Sequence, residues 1–169
     1  MPFTPYHFGP ALFLGLLFIS FVDFPTFLIA SVIVDVEPFL VLALNLDYPI
    51  HGFFHSLLGG TIVAIPLALV MHRIRDKISP LLSVFKLEQK VSFARILVAS
   101  LSGIYIHILL DSRMYTDIQP FYPSTYNPLL TTGIFAGLDS YIICLWSFFG
   151  AIIIYIIRLF LFNRKNSAI

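Results

Sequence analysis

The chain of 169 residues is 59% apolar and 16% aromatic, with 11% charged residues and a mean hydropathy of +0.93. A soluble domain of this size carries about a quarter charged residues, so the composition points to lipid as the solvent. The net charge of +1, with no Lys or Arg before Arg73, excludes the basic surface that nucleic-acid phosphates require.

One cysteine, Cys144, excludes an internal disulfide framework and every Cys-based zinc motif. Any metal must therefore be held by His and carboxylate. The length suits a single integral membrane domain over 1–169.

Apolar stretches fall at 8–22, 24–34 with a continuation over 38–46, 53–71, 92–110 and 134–162. Each must satisfy its backbone polar groups within helix if it enters hydrocarbon, which predicts an all-α, polytopic transmembrane bundle. Segments 53–71, 92–110 and 134–162 approach or exceed the ~20 residues that span a bilayer. They are expected to be three full spans. Segments 8–22 and 24–34 are shorter, giving roughly 22 and 16 Å of helix at 1.5 Å per residue. They are read as a short N-terminal helical hairpin turning at Asp23-Phe24-Pro25. The first seven residues lack the positive region of a secretory signal, so the first segment is expected to stay attached.

Six of the ten basic residues (Arg73, Arg75, Lys77, Lys86, Lys90, Arg95) lie between the third and fourth segments, and Arg158, Arg164 and Lys165 end the chain. The excess of Lys and Arg on cytoplasmic loops makes both regions, and hence the C-terminus, cytoplasmic in a multi-pass cell-membrane protein. The 112–133 stretch, rich in Tyr and Pro, then covers the extracytoplasmic side.

Ionisable groups in membrane segments are costly and point to function. His107 and Asp111 share a helix face at a four-residue spacing, as do His51 and His55, and such pairs can converge on one cation. Gly52 allows close backbone approach, and Ser56 is a candidate catalytic residue through holding a ligand in place. Asp35 and Glu37 interrupt an apolar run, and Pro38 disfavours helix at Glu37, so a break there lets both carboxylates reach a common site. They are candidate catalytic residues, with Glu37 as general base or second-site ligand. His7 heads the first apolar segment, and topology brings all these motifs to one membrane face. His72, beside the Arg cluster, reads as an ordinary surface residue. Asp139 reads as interfacial or as support for a ligand.

A His and carboxylate set without thiolate favours Zn2+, with manganese or another divalent ion as an alternative. Six ligand candidates exceed the four of a closed structural site, which favours two ions, or one ion with bases around it, and hydrolysis by activated water.

The order and spacing of these motifs, over about residues 5–125, resemble the YdjM-like (DUF457) family of membrane-bound metal-dependent hydrolases. That family is in turn distantly similar to the zinc-dependent phospholipase C and P1 nuclease group. The resemblance implies an all-helical fold and makes His7, Asp35, His51, His55, His107 and Asp111 metal ligands. Two positions depart from the usual pattern. Gly52 and Phe54 replace an Arg and a Thr, removing a cation that could meet a phosphate, and Glu37 replaces a common Asp.

The reading is a membrane-embedded metal-dependent hydrolase acting on a lipid or lipid-linked ester or phosphoester at the extracytoplasmic interface, with membrane lipids as its surroundings. A divalent-cation or proton-coupled carrier is the alternative, and a scaffold pinned by metal is a third.

Overall fold

The computed structural model describes residues 4–166 as an all-helical bundle. Residues 1–3 and 167–169, and the side chains of Thr4, Lys165 and Asn166, lie outside the described residues. After a 3-10 turn at Thr4–His7 come α1 (Phe8–Leu17), α2 (Phe24–Ala30), a second 3-10 turn (Ile33–Asp35), α3 (Val36–Ala43), α4 (Leu57–Val84), α5 (Phe93–Ser112) and α6 (Leu138–Asn166).

Three helix starts are written in polar caps. Asp23 accepts from the Thr26 N–H and hydroxyl at 3.3 and 2.6 Å, with Pro25 in the first turn of α2. Ser56 caps α4 through the Gly59 N–H at 2.9 Å, and Ser92 caps α5 through Arg95. Each cap satisfies a donor that the helix itself leaves open.

The hairpin expected over 8–34 forms, but its turn occupies 18–23, and Asp23 begins the second arm instead of sitting at the turn's centre. The second arm also continues. Phe24–Ala43 is long and apolar enough to cross a membrane, as are Leu57–Val84, Phe93–Ser112 and Leu138–Arg164. Four such stretches therefore stand where three full spans were expected, because the helix resumes after its break. Helix α4 likewise runs past 71 through the charged segment to Val84. Lys and Arg are good helix formers, so polarity alone does not end it.

Helix α5 is the centre of the packing, with α2 on one side and α4 on another, while α1 packs along α6. Ala30, Val34, Ala64, Ile104 and Ile108 form a buried cluster among α2, the Ile33–Asp35 turn, α4 and α5. The α2–α5 approach depends on Gly103, where a Cβ would lie 2.6 Å from the Ala30 Cβ and 2.9 Å from the Phe27 carbonyl oxygen. Outward faces of α4 and α6 expose Ile62, Leu69, Trp146, Ile153 and Phe160. An apolar exterior of this extent is rare on a monomer in water, and it is the expected surface of a chain dissolved in lipid.

Candidate metal centre

The break after α2 prepares the site. Ser31 donates its hydroxyl to the Leu28 carbonyl at 2.8 Å, and its own carbonyl accepts from His107 Nδ1 at 2.7 Å. That bond fixes the His107 tautomer with hydrogen on Nδ1 and leaves Nε2 directed at the carboxylates. His55 is held the same way. Its Nδ1 donates to Glu37 Oε2 at 2.8 Å, and Glu37 Oε1 accepts from the Phe54 N–H at 3.1 Å.

Around these two imidazoles, Asp35, His55, His107 and Asp111 offer ligand atoms that all lie within 4.8 Å of one another. Asp35 Oδ1 is 3.3 Å from His107 Nε2 and 3.9 Å from His55 Nε2, and Asp111 Oδ2 is 3.4 Å from His107 Nε2. His7 joins at the edge, with Nε2 3.2 Å from Asp111 Oδ1 and its ring stacked on His107 at 4.0 Å between centroids. His7 Nε2 and Asp111 Oδ1 are within ion-pair distance but not aligned for a hydrogen bond.

The donor set passes a chemical test for a cation. Nε2 of His7, His55 and His107 and Oδ1 of Asp111 are buried without a hydrogen-bond partner. Such groups are costly to bury unsatisfied. Ring nitrogens whose opposite Nδ1 is tied to a carboxylate or a backbone carbonyl are the usual form of metal-binding histidine. Three or four nitrogen and oxygen donors without sulfur suit Zn2+ or another divalent first-row ion.

Other predicted residues fall in different roles. His51 does not join the four-residue group. Its Nδ1 lies 3.0 and 3.1 Å from the two oxygens of Asp117, which also accepts the His51 backbone N–H at 3.1 Å. Its ring stands 4.9 Å from that of His55 and 4.2 Å from Tyr115. Glu37, expected as general base or second-site ligand, has both oxygens engaged and positions His55 instead. Ser56, expected to serve catalysis, uses its hydroxyl to accept from Gly59 and to donate to the Phe53 carbonyl, so it is a helix cap. The break expected at Glu37-Pro38 lies earlier, over 31–35, and Pro38 sits in the first turn of α3, where a missing N–H costs nothing. His72 is exposed on α4, and Asp139 pairs with Arg113 near the surface.

Asp117 and Tyr115 were not singled out from the sequence. Asp117 is separated from His51 by 66 positions, so no local spacing could have paired them. Burial, and then the neighbouring His55, lower the His51 pKa against the opposing pull of Asp117. Burial alone would lower His55 too, but the nearby Asp35 carboxylate and the Glu37 carboxylate bonded to its Nδ1 outweigh it and raise the pKa. Burial would raise Asp117, and its bonds from His51 overcome this and hold it low. Burial, with Asp111 close by, raises Tyr115, whose hydroxyl is buried without a partner.

A cavity of about 280 Å³ lies beside His51, lined also by Tyr48, Gly52, Phe53, Asp117 and Tyr122. A side chain at Gly52 would collide with the Tyr48 ring, whose hydroxyl accepts from the Phe53 N–H at 2.9 Å. Tyr48 thus fills the space that a larger residue at 52 would need. Comparison with protein families, with curated proteins and with solved structures gives no match for this chain.

Proposed function

We propose that this chain is a membrane-embedded metal-dependent hydrolase, with Asp35, His55, His107 and Asp111 holding a divalent cation, Zn2+ by preference, and His7 at its edge. The observation that carries the reading is the pair of imidazoles whose Nδ1 atoms are tied back and whose buried Nε2 atoms lack partners beside two carboxylates. The order of the motifs, which resembles that of YdjM-like hydrolases, supports the same chemistry class.

When bound, a divalent cation supplies Lewis acidity and activates water near neutral pH. The protein's own groups do the rest. Glu37 and the Ser31 carbonyl hold the two imidazoles in one tautomer and one orientation. His51, steadied by Asp117 and kept neutral by burial, lies between this group and the cavity, where it exchanges a proton with water or a leaving group. The cavity's aromatic wall accommodates a lipid or lipid-linked ester or phosphoester entering from the membrane interface. The distribution of Lys and Arg supports a cytoplasmic α4–α5 connection and α6 end, and with it a site that faces the extracytoplasmic side.

The test is elemental analysis of the purified chain, followed by phospholipid and lipid-phosphate hydrolysis with and without chelator. Bound zinc with chelator-sensitive release of product is expected. A chain that binds metal, hydrolyses no lipid ester, and moves a cation into proteoliposomes in a His107-dependent way would be a carrier.

A further inference from the structure

At the end of the bundle opposite the His–carboxylate group, three cations gather. Lys90, Arg95 and Arg158 line a polar cavity of about 290 Å³ together with Ser20 and Glu88. Among the described residues no ion pair involves any of the three. Arg95 donates through its terminal nitrogens to the carbonyls of Lys90 and Ile19, at 2.8 and 2.7 Å, which fixes the guanidinium but does not neutralise it. The Nε atoms of Arg95 and Arg158 are buried with no hydrogen-bond partner. Three cations against the single acid Glu88 leave the cavity electropositive, and buried N–H donors there await an acceptor.

An apolar groove of about 470 Å³ adjoins this cavity, walled by Leu16, Leu82, Leu87, Ala151, Ile152 and Tyr155 among others. The two are neighbours, for Leu87 of the groove directly precedes Glu88 of the cavity in the chain. Ile19 lines the polar cavity and belongs to the same buried cluster as Leu16, Leu82, Leu87 and Ala151. Tyr155 and Arg158 are three residues apart on α6 and share a face. Arg95, Arg158 and most of the groove wall belong to stretches long and apolar enough to cross a membrane, while Ser20, Glu88 and Lys90 lie in the connections at their ends.

We propose that this cavity and groove form a binding site for one anionic phospholipid, its phosphate among Lys90, Arg95 and Arg158 and an acyl chain in the groove. Charge complementarity selects the headgroup, since basic pockets between membrane helices favour anionic lipids, and the wholly apolar wall selects the chain. The site is about 18 Å along α5 from His107, taking 1.5 Å per residue from Arg95. It does not depend on the hydrolase reading.

The test is native mass spectrometry of the full chain in detergent micelles, titrated separately with dioleoyl phosphatidylglycerol, dioleoyl phosphatidylcholine and inorganic phosphate. Retention of phosphatidylglycerol at least tenfold above phosphatidylcholine is expected, with inorganic phosphate unable to displace it. Removing one cation by Lys90→Gln, at an exposed position, should weaken retention about fivefold, and Arg158→Gln by a similar factor. Glu88→Gln should strengthen it, and Lys77→Gln, on the exposed face of α4 outside the cavity, should leave it unchanged. Equal retention of the two lipids would overturn the proposal, as would displacement by inorganic phosphate or indifference to both Lys90→Gln and Glu88→Gln.

Discussion

At the scale of single residues, what separates His55, His107 and His51 is the acceptor on each Nδ1. His55 leans on Glu37, His107 on the Ser31 carbonyl and His51 on Asp117, but only the first two aim Nε2 into the carboxylate pair. Replacing Glu37 by Ala should free the His55 ring and lower metal affinity by about 10–100-fold, the usual effect of losing a partner behind a metal-binding histidine. Calorimetric zinc titration of the variant would measure this. Unchanged affinity would return Glu37 to the role of general base expected from the sequence. His51→Asn should behave oppositely, keeping the metal and losing about 10²–10⁴-fold in turnover if His51 transfers a proton. Metal content and hydrolysis measured on the same preparation tell the two effects apart, and loss of metal would instead make His51 a ligand. His107→Ala removes an Nε2 donor and leaves the buried Asp111 and half-buried Asp35 carboxylates without it, so its zinc content should collapse.

Helices bring these residues together through two features that do not resemble sites. One is the close approach of α2 and α5 at Gly103, which holds the Ser31 carbonyl against His107. Gly103→Val would push α2 away, costing about 1–3 kcal/mol by overpacking and lowering metal affinity although residue 103 offers no side chain to a metal. The other is the Asp23–Arg75 pair, 2.6 Å apart with both side chains at 5% exposure or less, which locks the α1–α2 turn to α4. Arg75→Ala leaves Asp23 buried and unpaired and should destabilise the chain by about 3–5 kcal/mol, read as a lower thermal midpoint in detergent. The spans and the four-residue spacings were legible in the sequence, because apolar runs and helical periodicity are local signals. Arg75 was not, for within a run of cations it looks like any other cytoplasmic charge, and its partner lies 52 positions away. Asp117 was hidden for the same reason. The hydrogen bonds of Ser56 and Glu37 were not legible, because a capping hydroxyl and an orienting carboxylate have the same one-letter signature as catalytic ones.

For the whole molecule, the arrangement of helices sorts polar residues to opposite ends of a bundle with an apolar exterior. His7, Asp35, His55, His107 and Asp111 lie at one end with Tyr115 and Asp117, and Arg95 and Arg158 lie at the other. Because the two sets occupy opposite ends of α5, fixing the side of either one fixes the other. The positive-inside tendency would put the Lys and Arg end in the cytoplasm, an orientation that accessibility can test directly. The native Cys144 is 3% exposed, so a Cys144→Ala background removes even its weak reactivity with little change in packing. In that background, a membrane-impermeant thiol reagent applied to intact cells should label a cysteine placed at Ser124, in the exposed connection before α6. It should miss one at Ser83, at the exposed end of α4. Permeabilising the cells should make Ser83→Cys reactive while leaving Ser124→Cys as it was. Labelling in the reverse order would turn the bundle over, placing the His–carboxylate group on the cytoplasmic side and restricting its substrates to lipids of the inner leaflet, while the chemistry argued from its geometry would stand.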